Sequence, residues 1–417
     1  MDKHFDIVIA GGGMVGLSLA LQLGASLPPS TSILLVESYP FPKPMAAGAP
    51  DYHPSFDARS TALSYSSQRI YQNIGVWDLL SQWCCPIEKI HVSSRGRFGS
   101  TLLDAQDCGW PALGYVAENP WLGNALAQSL YRQARVELCS PAQVTAARTG
   151  PEGAHLQLRT GDTTEDIRAE LLLICDGAGS RLCEDLGVQR QVKSYGQHAL
   201  IANIATAEAH AGCAFERFTD EGPLALLPLM PSSADEHRSA LVWTLPPARA
   251  EKLLAAEDMA FVEELQLRFG YRLGRVEQVG ERQSYPLTLV QSLEQVRRSM
   301  VVMGNAAHAL HPVAGQGFNL ALRDVACLAR TLRGALDEGK SLGEPAVLHE
   351  YQARQAEDQQ RTIGFSDRVP GLFMTDWPLF SLGRDLALAG MDLLPSAKRE
   401  FVRHAAGIAA AGSEERV

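Results

Sequence analysis

A chain of 417 residues is too long for one compact core and suits two or three domains. Its 46% hydrophobic and 20% charged residues are ordinary for a globular protein, and a net charge of −10 excludes the broad basic face that nucleic-acid binding requires. The eight cysteines include no C-x-x-C pair, so the expectation is no metal site and reduced thiols in a cytoplasmic protein, with a strained Cys84–Cys85 disulfide as the alternative.

Ile7–Val36 contains no charged residue. A membrane span would not carry three consecutive glycines at its apolar centre, nor Pro28-Pro29 within it. The stretch reads instead as strand, turn, helix and strand, with no targeting signal. Ile7–Ala10 is a buried-strand run. Gly11, Gly13 and Gly16 follow at the G-x-G-x-x-G spacing, with Met14 and Val15 opening an amphipathic helix to Leu27. In that pattern the glycines permit a tight turn, an approach to a pyrophosphate and close helix packing, and the helix N-terminus attracts the phosphates. A second strand, Ser32–Val36, ends in Glu37, about twenty residues past the last glycine, where an acid grips a ribose hydroxyl.

A proline-rich loop leads to Arg59, which could meet a phosphate or serve the fold. Ser60–Ile74 reads as a helix, and Glu88–Asp104 as a strand pair. Val116–Ala134 reads as a helix capped by Asn119 with Pro120 at its first position. Four strands follow within 136–175, one of them holding Val144, and the last opens into Asp176-Gly177-Ala178-Gly179-Ser180-Arg181. Asp176 could bond a ligand hydroxyl or cap the helix Ser180–Leu186. Beyond Val188 the pattern changes to strands without alternating helices: Ala199–Thr206, Ala214–Phe218, Leu224–Leu229 and Ala240–Leu245, an antiparallel meander. Met259–Phe269 reads as a helix, and Arg282–Leu289 as a strand returning to the first domain.

The late segment has a strand, Val301–Met303, ended by Gly304-Asn305. After it come a loop with Gly315-Gln316-Gly317 and a helix from Asn319 to Leu336. His308 and His311 lack a third ligand nearby and read as structural.

Three glycine-bearing loops in this order, GGGMVG, DGAGSR and GNAAHALHPVAGQGFN, resemble the flavoprotein aromatic hydroxylases of the para-hydroxybenzoate hydroxylase group. DARSTALS, Tyr195-Gly196-Gln197, FTDEGPLALLPL and GQGFNLALRD are most similar to its ubiquinone-biosynthesis branch, in particular the 2-polyprenyl-6-methoxyphenol hydroxylases. The resemblance implies an α/β fold: a Rossmann-like FAD-binding domain with an inserted antiparallel β-sheet substrate domain and C-terminal helices. It puts 1–75, 105–187 and 285–360 in the first, 76–104 and 188–284 in the second, and 361–417 in a C-terminal helical segment. It implies FAD as the bound cofactor, NAD(P)H as a transient reductant and O₂ as the oxidant. By position, Gly11, Gly13, Met14, Val15, Gly16, Glu37, Arg59, Asn119, Val144, Asp176, Gly304, Asn305, Gly317, Phe318 and Asn319 would contact FAD. Pro312, Gly315, Gln316 and Gly317 would cradle its ring. Two departures stand out: Cys183 where the Asp-Gly motif usually has Arg, and Asn305 where many relatives have Asp.

The flavin would carry the redox chemistry, so no side-chain acid or base is expected. The late helix would stabilise negative charge on the flavin, and the second domain's sheet would exclude water. Tyr195, Leu226, Pro228 and Trp243 are the candidate substrate pocket. A polyprenyl phenol is the expected substrate. A small phenol held through its carboxylate by Arg217 or Arg238 is the alternative, and a non-catalytic prenyl escort a third reading. Leu372–Leu394 is an apolar segment that would face a membrane, face another ubiquinone-pathway protein, or simply pack on the core. Ring position, chain length, NADH against NADPH and oligomeric state stay open.

Overall fold

A computed structural model describes residues 3–45, 52–56, 59–96, 100–233, 236–310, 315–374 (side chains to 367), 398–400, 402–403 and 406–408. Strand Lys3–Ala10 pairs in parallel with Ile33–Val36 on one side and with Thr163–Ile174 on the other, and the latter pairs in parallel with Met300–Val302. These strands are buried on both faces, which is why they read as continuous apolar runs. Ile7, Ile9, Leu35, Leu171 and Val301 join a core with helices Met14–Ser26, Asn119–Gln133 and Gln316–Asp337. Val8, Ala10, Leu34, Leu172 and Val302 point the other way, onto the hairpin Gln143–Gly150 and Gly153–Thr160.

A second, nine-stranded sheet is built around Arg190–Thr206, His237–Leu245, Pro223–Pro228 and Cys213–Phe218, in that spatial order. Its edge is the expected pair Lys89–Ser94 and Ser100–Asp104, and the contact of Lys89–Ser94 with Cys213–Phe218 is parallel, so the sheet is not a pure antiparallel meander. Helices Pro247–Leu254 and Asp258–Phe269 cover one face; the first of them carried no clear signal in the sequence.

Several sequence expectations need correction. Ser60–Ile74 is not one helix. Ser60–Ser64 is a strand, and helix Tyr65–Asn73 begins after it, with the Ser64 hydroxyl accepting from the Ser67 amide. Its partner is Gly114–Glu118, which is likewise strand, so the next helix spans Asn119–Gln133 and Glu118, not Asn119, occupies its N-cap. With Cys84–Ile87 these two make a small three-stranded sheet. Both strands sit in segments whose apolar residues also suit a helical spacing, and cross-strand pairing decides between the two.

The segment 76–104 therefore divides. Val76, Leu79, Leu80 and Cys84 pack in the first core, and only Lys89–Asp104 joins the large sheet. Strand Gln283–Ser292 pairs with Arg190–Ile201 and belongs to the large sheet rather than to the first domain. A long helix, Pro345–Met374, packs on Gln316–Asp337, with Arg323 bonding Asp358 at 2.7 Å. All eight cysteines are free, including Cys84 and Cys85. Among the described residues no helix is long and apolar enough to cross a membrane.

Candidate functional site

The register of the first sheet brings the three glycine loops together. Ala10, Ile174 and Val302 end neighbouring parallel strands and stand side by side. The loops that follow emerge at one edge, at the carboxyl ends of the strands, where ligands bind in open α/β sheets. Gly11 has φ +103, and a Cβ there would lie 2.7 Å from the Cys175 backbone, so the first turn rests directly on the Asp176 loop. Gly16 has no room either: a Cβ would stand 1.8 Å from the Gly11 carbonyl oxygen. Gly13 is the opposite case. Among the described residues a Cβ there meets nothing within 4 Å, and the helix that starts behind it has no side-chain cap. Unpaired N–H groups thus face open space at a positive helix end, an anion site by construction.

Glu37 stands beside this turn. Its Oε2 accepts from the Gly12 amide at 2.6 Å and its Oε1 from the Tyr39 amide at 2.9 Å. Ser38 also donates to Oε1, which leaves acceptor capacity on Oε2 for a ribose hydroxyl. Met14 and Val15 pack half-buried on the core, and Val15 lies 3.1 Å from where a Gly304 Cβ would be, so the late loop touches the first helix. Asn305 next to it is exposed, as is Asp176. Ser180 occupies the N-cap of helix Arg181–Asp185, its hydroxyl receiving the Cys183 amide at 3.0 Å, and the Asp176 carboxylate joins the cap by accepting from Ser180 and from the Leu182 amide. Cys183 is fully buried.

Asn119 lies at the far side of the loops. Its amide N–H donates to the Arg59 carbonyl at 2.7 Å and its Oδ1 accepts from the Thr61 hydroxyl at 2.6 Å. The exposed Arg59 side chain reaches Tyr285 of the large sheet at 3.3 Å. Gly315 caps helix Gln316–Asp337 in the left-handed region, again without a side-chain cap. The helix therefore begins three residues earlier than expected. Gln316 is buried, and Phe318 packs on the first core. Pro312 and His311 lie outside the described residues.

Asn319 has a different role from the expected one. Its Oδ1 accepts from the Ser64 amide at 2.8 Å and the Ser67 hydroxyl at 2.7 Å, while its Nδ2 donates to the carbonyls of Ala62 at 2.9 Å and Gly315 at 2.7 Å. That uses the full capacity of a side-chain amide. Asn319 thus locks the glycine loop to strand Ser60–Ser64 and has nothing left for a ligand. Val144 is also turned away, into the second core. His308, buried, bonds Asp324 at 2.7 Å, and Asp324 accepts from Gln355 and Gln359.

The residues expected to line the substrate pocket lie on the helix-covered face of the large sheet or against the long C-terminal helix. Leu226 and Trp243 are fully buried under the two covering helices, and Pro228 has their strand parity. Tyr195 donates to Asp367 at 2.9 Å on the long C-terminal helix, and burial and that carboxylate raise its pKa. The face turned to the first domain carries Ala214, Leu227 and Ala240, which meet Ile87 and Val116.

Residues 4–366 match the model of the FAD-binding domain family. The chain is 37% identical over 413 residues to the ubiquinone hydroxylase UbiL of Rhodospirillum rubrum, covering 99% of this chain and 92% of that protein. It is 30% identical over 403 residues to the 3-demethoxyubiquinol 3-hydroxylase of Escherichia coli, covering 97% and 98%. The p-nitrophenol 4-monooxygenase PnpA of Pseudomonas putida DLL-E4 shares the fold, with a TM-score of 0.76 at 15% identity over 99% of this chain and all of that one. FAD fits what is here: an uncapped helix end behind an open Gly13, an acid at the end of the second strand, and a second uncapped helix end at Gly315. The chain belongs to the FAD-binding domain family and is an FAD-dependent monooxygenase of the aromatic-hydroxylase kind.

Proposed function

We propose that this enzyme hydroxylates the ring of a polyprenylated phenol in ubiquinone biosynthesis, using NAD(P)H and O₂. The supporting observation is the convergence of the three glycine loops at one sheet edge, in a chain whose second sheet turns an apolar face, Ala214, Leu227 and Ala240, to the first domain. The two relatives named above, each matched over nearly its whole length, are named for this pathway. FAD, when bound, supplies the electron transfer and oxygen activation. The protein's part is to hold it and shield it. Gly13 and the first helix end would take the pyrophosphate, Glu37 the ribose, and the Asn119 amide group the chain between them. The helix end at Gly315–Gln316 would favour negative charge on the ring edge. The Ala214–Leu227–Ala240 face would keep water from the reacting ring.

The reading as a hydroxylase of a small carboxylated phenol lacks its cation. Arg238 is fully buried and bonds Glu118 at 2.7 Å. Arg217 donates to the Arg268 carbonyl at 3.0 Å beside the covering helix, and desolvation and neighbouring arginines lower its pKa. The escort reading has no use for an open phosphate turn.

The test is NAD(P)H oxidation by the purified yellow protein with a short-chain prenyl phenol against hydroxybenzoates. Stimulation by hydroxybenzoates alone would sink the proposal. Gly317→Val tests the cradle. Among the described residues a Cβ there meets Leu310 alone, at 3.8 Å, so the fold should survive while FAD is lost. Normal flavin content in that variant would remove Gly317 from the site. A membrane contact through Leu372–Leu394, whose side chains lie outside the described residues, is a further part of the proposal. The full chain should co-float with anionic liposomes, and failure to do so removes it.

A further inference from the structure

Glu216 sits on strand Cys213–Phe218, opposite Ala225 on one side and Val92 on the other. Side chains alternate along a strand, so Glu216 shares its face with Ala214 and not with Phe215, which packs under the helices. Ala214 meets Ile87 and Val116 of the small sheet. The Glu216 face is therefore the one turned to the first domain. The transverse row continues through Val242, Ile201 and Gln283. Val92, Glu216, Val242, Ile201 and Gln283 are all half-buried. Ala225, which stands between Glu216 and Val242, is buried. Glu216 is the ionisable group in an otherwise uncharged row.

Among the described residues Glu216 has no hydrogen-bond or ion-pair partner. Charged groups of this sheet and of nearby segments have other partners. Glu118 holds Arg238 and Tyr52, Lys89 faces Asp104, Lys398 faces Asp107, and Arg59 reaches Tyr285. Arg399 and Arg403 lie beside Cys108. Arg95 pairs with Asp220, and Arg217, next in sequence and on the opposite face of the strand, donates to the Arg268 carbonyl. Desolvation alone pushes the Glu216 carboxyl up to about 7. An unpaired carboxylate in an apolar wall costs stability with no compensating bond, a pattern typical of groups retained for chemistry.

We propose that Glu216 is a catalytic residue: it accepts the hydroxyl hydrogen of the phenolic substrate and holds the proton while the ring is oxygenated. This rests on the hydroxylase reading above and supplies the base that the sequence did not reveal. The substrate O–H bond breaks and its proton passes to a Glu216 oxygen. The freed electron pair moves into the ring as a ring carbon bonds the oxygen atom delivered from O₂. The resulting ring ketone loses the hydrogen on that carbon to solvent and takes the proton back from Glu216. Aromaticity and the carboxylate are both restored. The second oxygen atom leaves as water, with the two electrons supplied by NAD(P)H.

The test uses the holoenzyme with 2-prenylphenol as probe, in wild type, Glu216→Gln and Glu216→Asp. All three should carry equal flavin. Phenol binding, read from the perturbed flavin absorbance, should tighten in the wild type as pH rises through about 7 and should lose that dependence in Glu216→Gln. Turnover of Glu216→Gln should fall on the order of 10²-fold with a far smaller change in KM, and Glu216→Asp should recover part of it. Wild-type turnover and pH profile in Glu216→Gln would overturn the proposal while leaving the hydroxylase reading standing. Loss of flavin or of folding in both variants would make Glu216 structural and also overturn it. A wild-type holoenzyme that binds and oxidises no phenol would overturn both readings.

Discussion

Asn319 shows how a residue near a ligand can serve the fold instead. Its four hydrogen bonds hold the Gly315 loop against strand Ser60–Ser64. Asn319→Ala would leave the Ser64 amide and two carbonyls without partners in a buried place. It should cost about 2–4 kcal/mol in thermal or denaturant unfolding and loosen FAD, read as faster flavin release. Glu216 carries a different signature. Its folded carboxyl titrates near 7, above the ordinary 4.5. The native state therefore holds that proton more tightly than the unfolded chain. The corresponding stability is complete below about 4.5 and is lost as pH rises through about 7. Glu216→Gln should melt higher than wild type at pH 8, by about 1–3 kcal/mol, because the group is only half-buried. The difference should fade by about pH 5 in a melting series, once the pH drops below the carboxyl's folded titration range.

The first helix and the turn before it separate packing from binding within one glycine motif. Gly16→Ala drives a methyl group into the Gly11 carbonyl, so helix Met14–Ser26 cannot keep its seat on the sheet. Loss of both melting cooperativity and flavin is expected. Gly13→Ala meets no atom of the described residues, so it should keep the wild-type melting temperature and weaken FAD. Equal melting temperatures for the two variants would contradict this division. At this scale the motif was legible because buried parallel strands and their turns are written locally. Strands Ser60–Ser64 and Gly114–Glu118 were not. Each is short and runs directly into a helix, and each is a strand because the other is beside it.

Across the whole molecule, Glu118 and Arg238 pin the small sheet to the large one. Both are buried, Arg238 completely, and Glu118 also takes the Tyr52 hydroxyl. The Arg238 guanidinium also donates to the Met230 carbonyl at 3.1 Å and stacks over Phe56. Removing one partner strands the other charge, so Arg238→Met should cost about 3–5 kcal/mol, and combining it with Glu118→Gln should cost less than the sum. Denaturant unfolding of the four proteins of that cycle checks the coupling. The two sheets should lose their common alignment, so flavin retention and phenol turnover should fall together.

The sequence by itself determined the family, the cofactor and the order of the three glycine loops, because each loop follows a buried strand whose composition is fixed locally. It also ruled out a membrane span in the first thirty or so residues, since glycine and proline interrupt the apolar run. Only the tertiary structure decided which face of the second sheet the two helices cover and which face turns to the first domain. A strand's alternation names two faces without saying which is covered. Leu226 and Trp243 were attractive for being apolar, and the helices over them took that face. Nothing in the sequence singles out Glu216; its strand neighbours set it in an apolar row, for burial and the absence of a partner among the described residues are properties of the assembled chain.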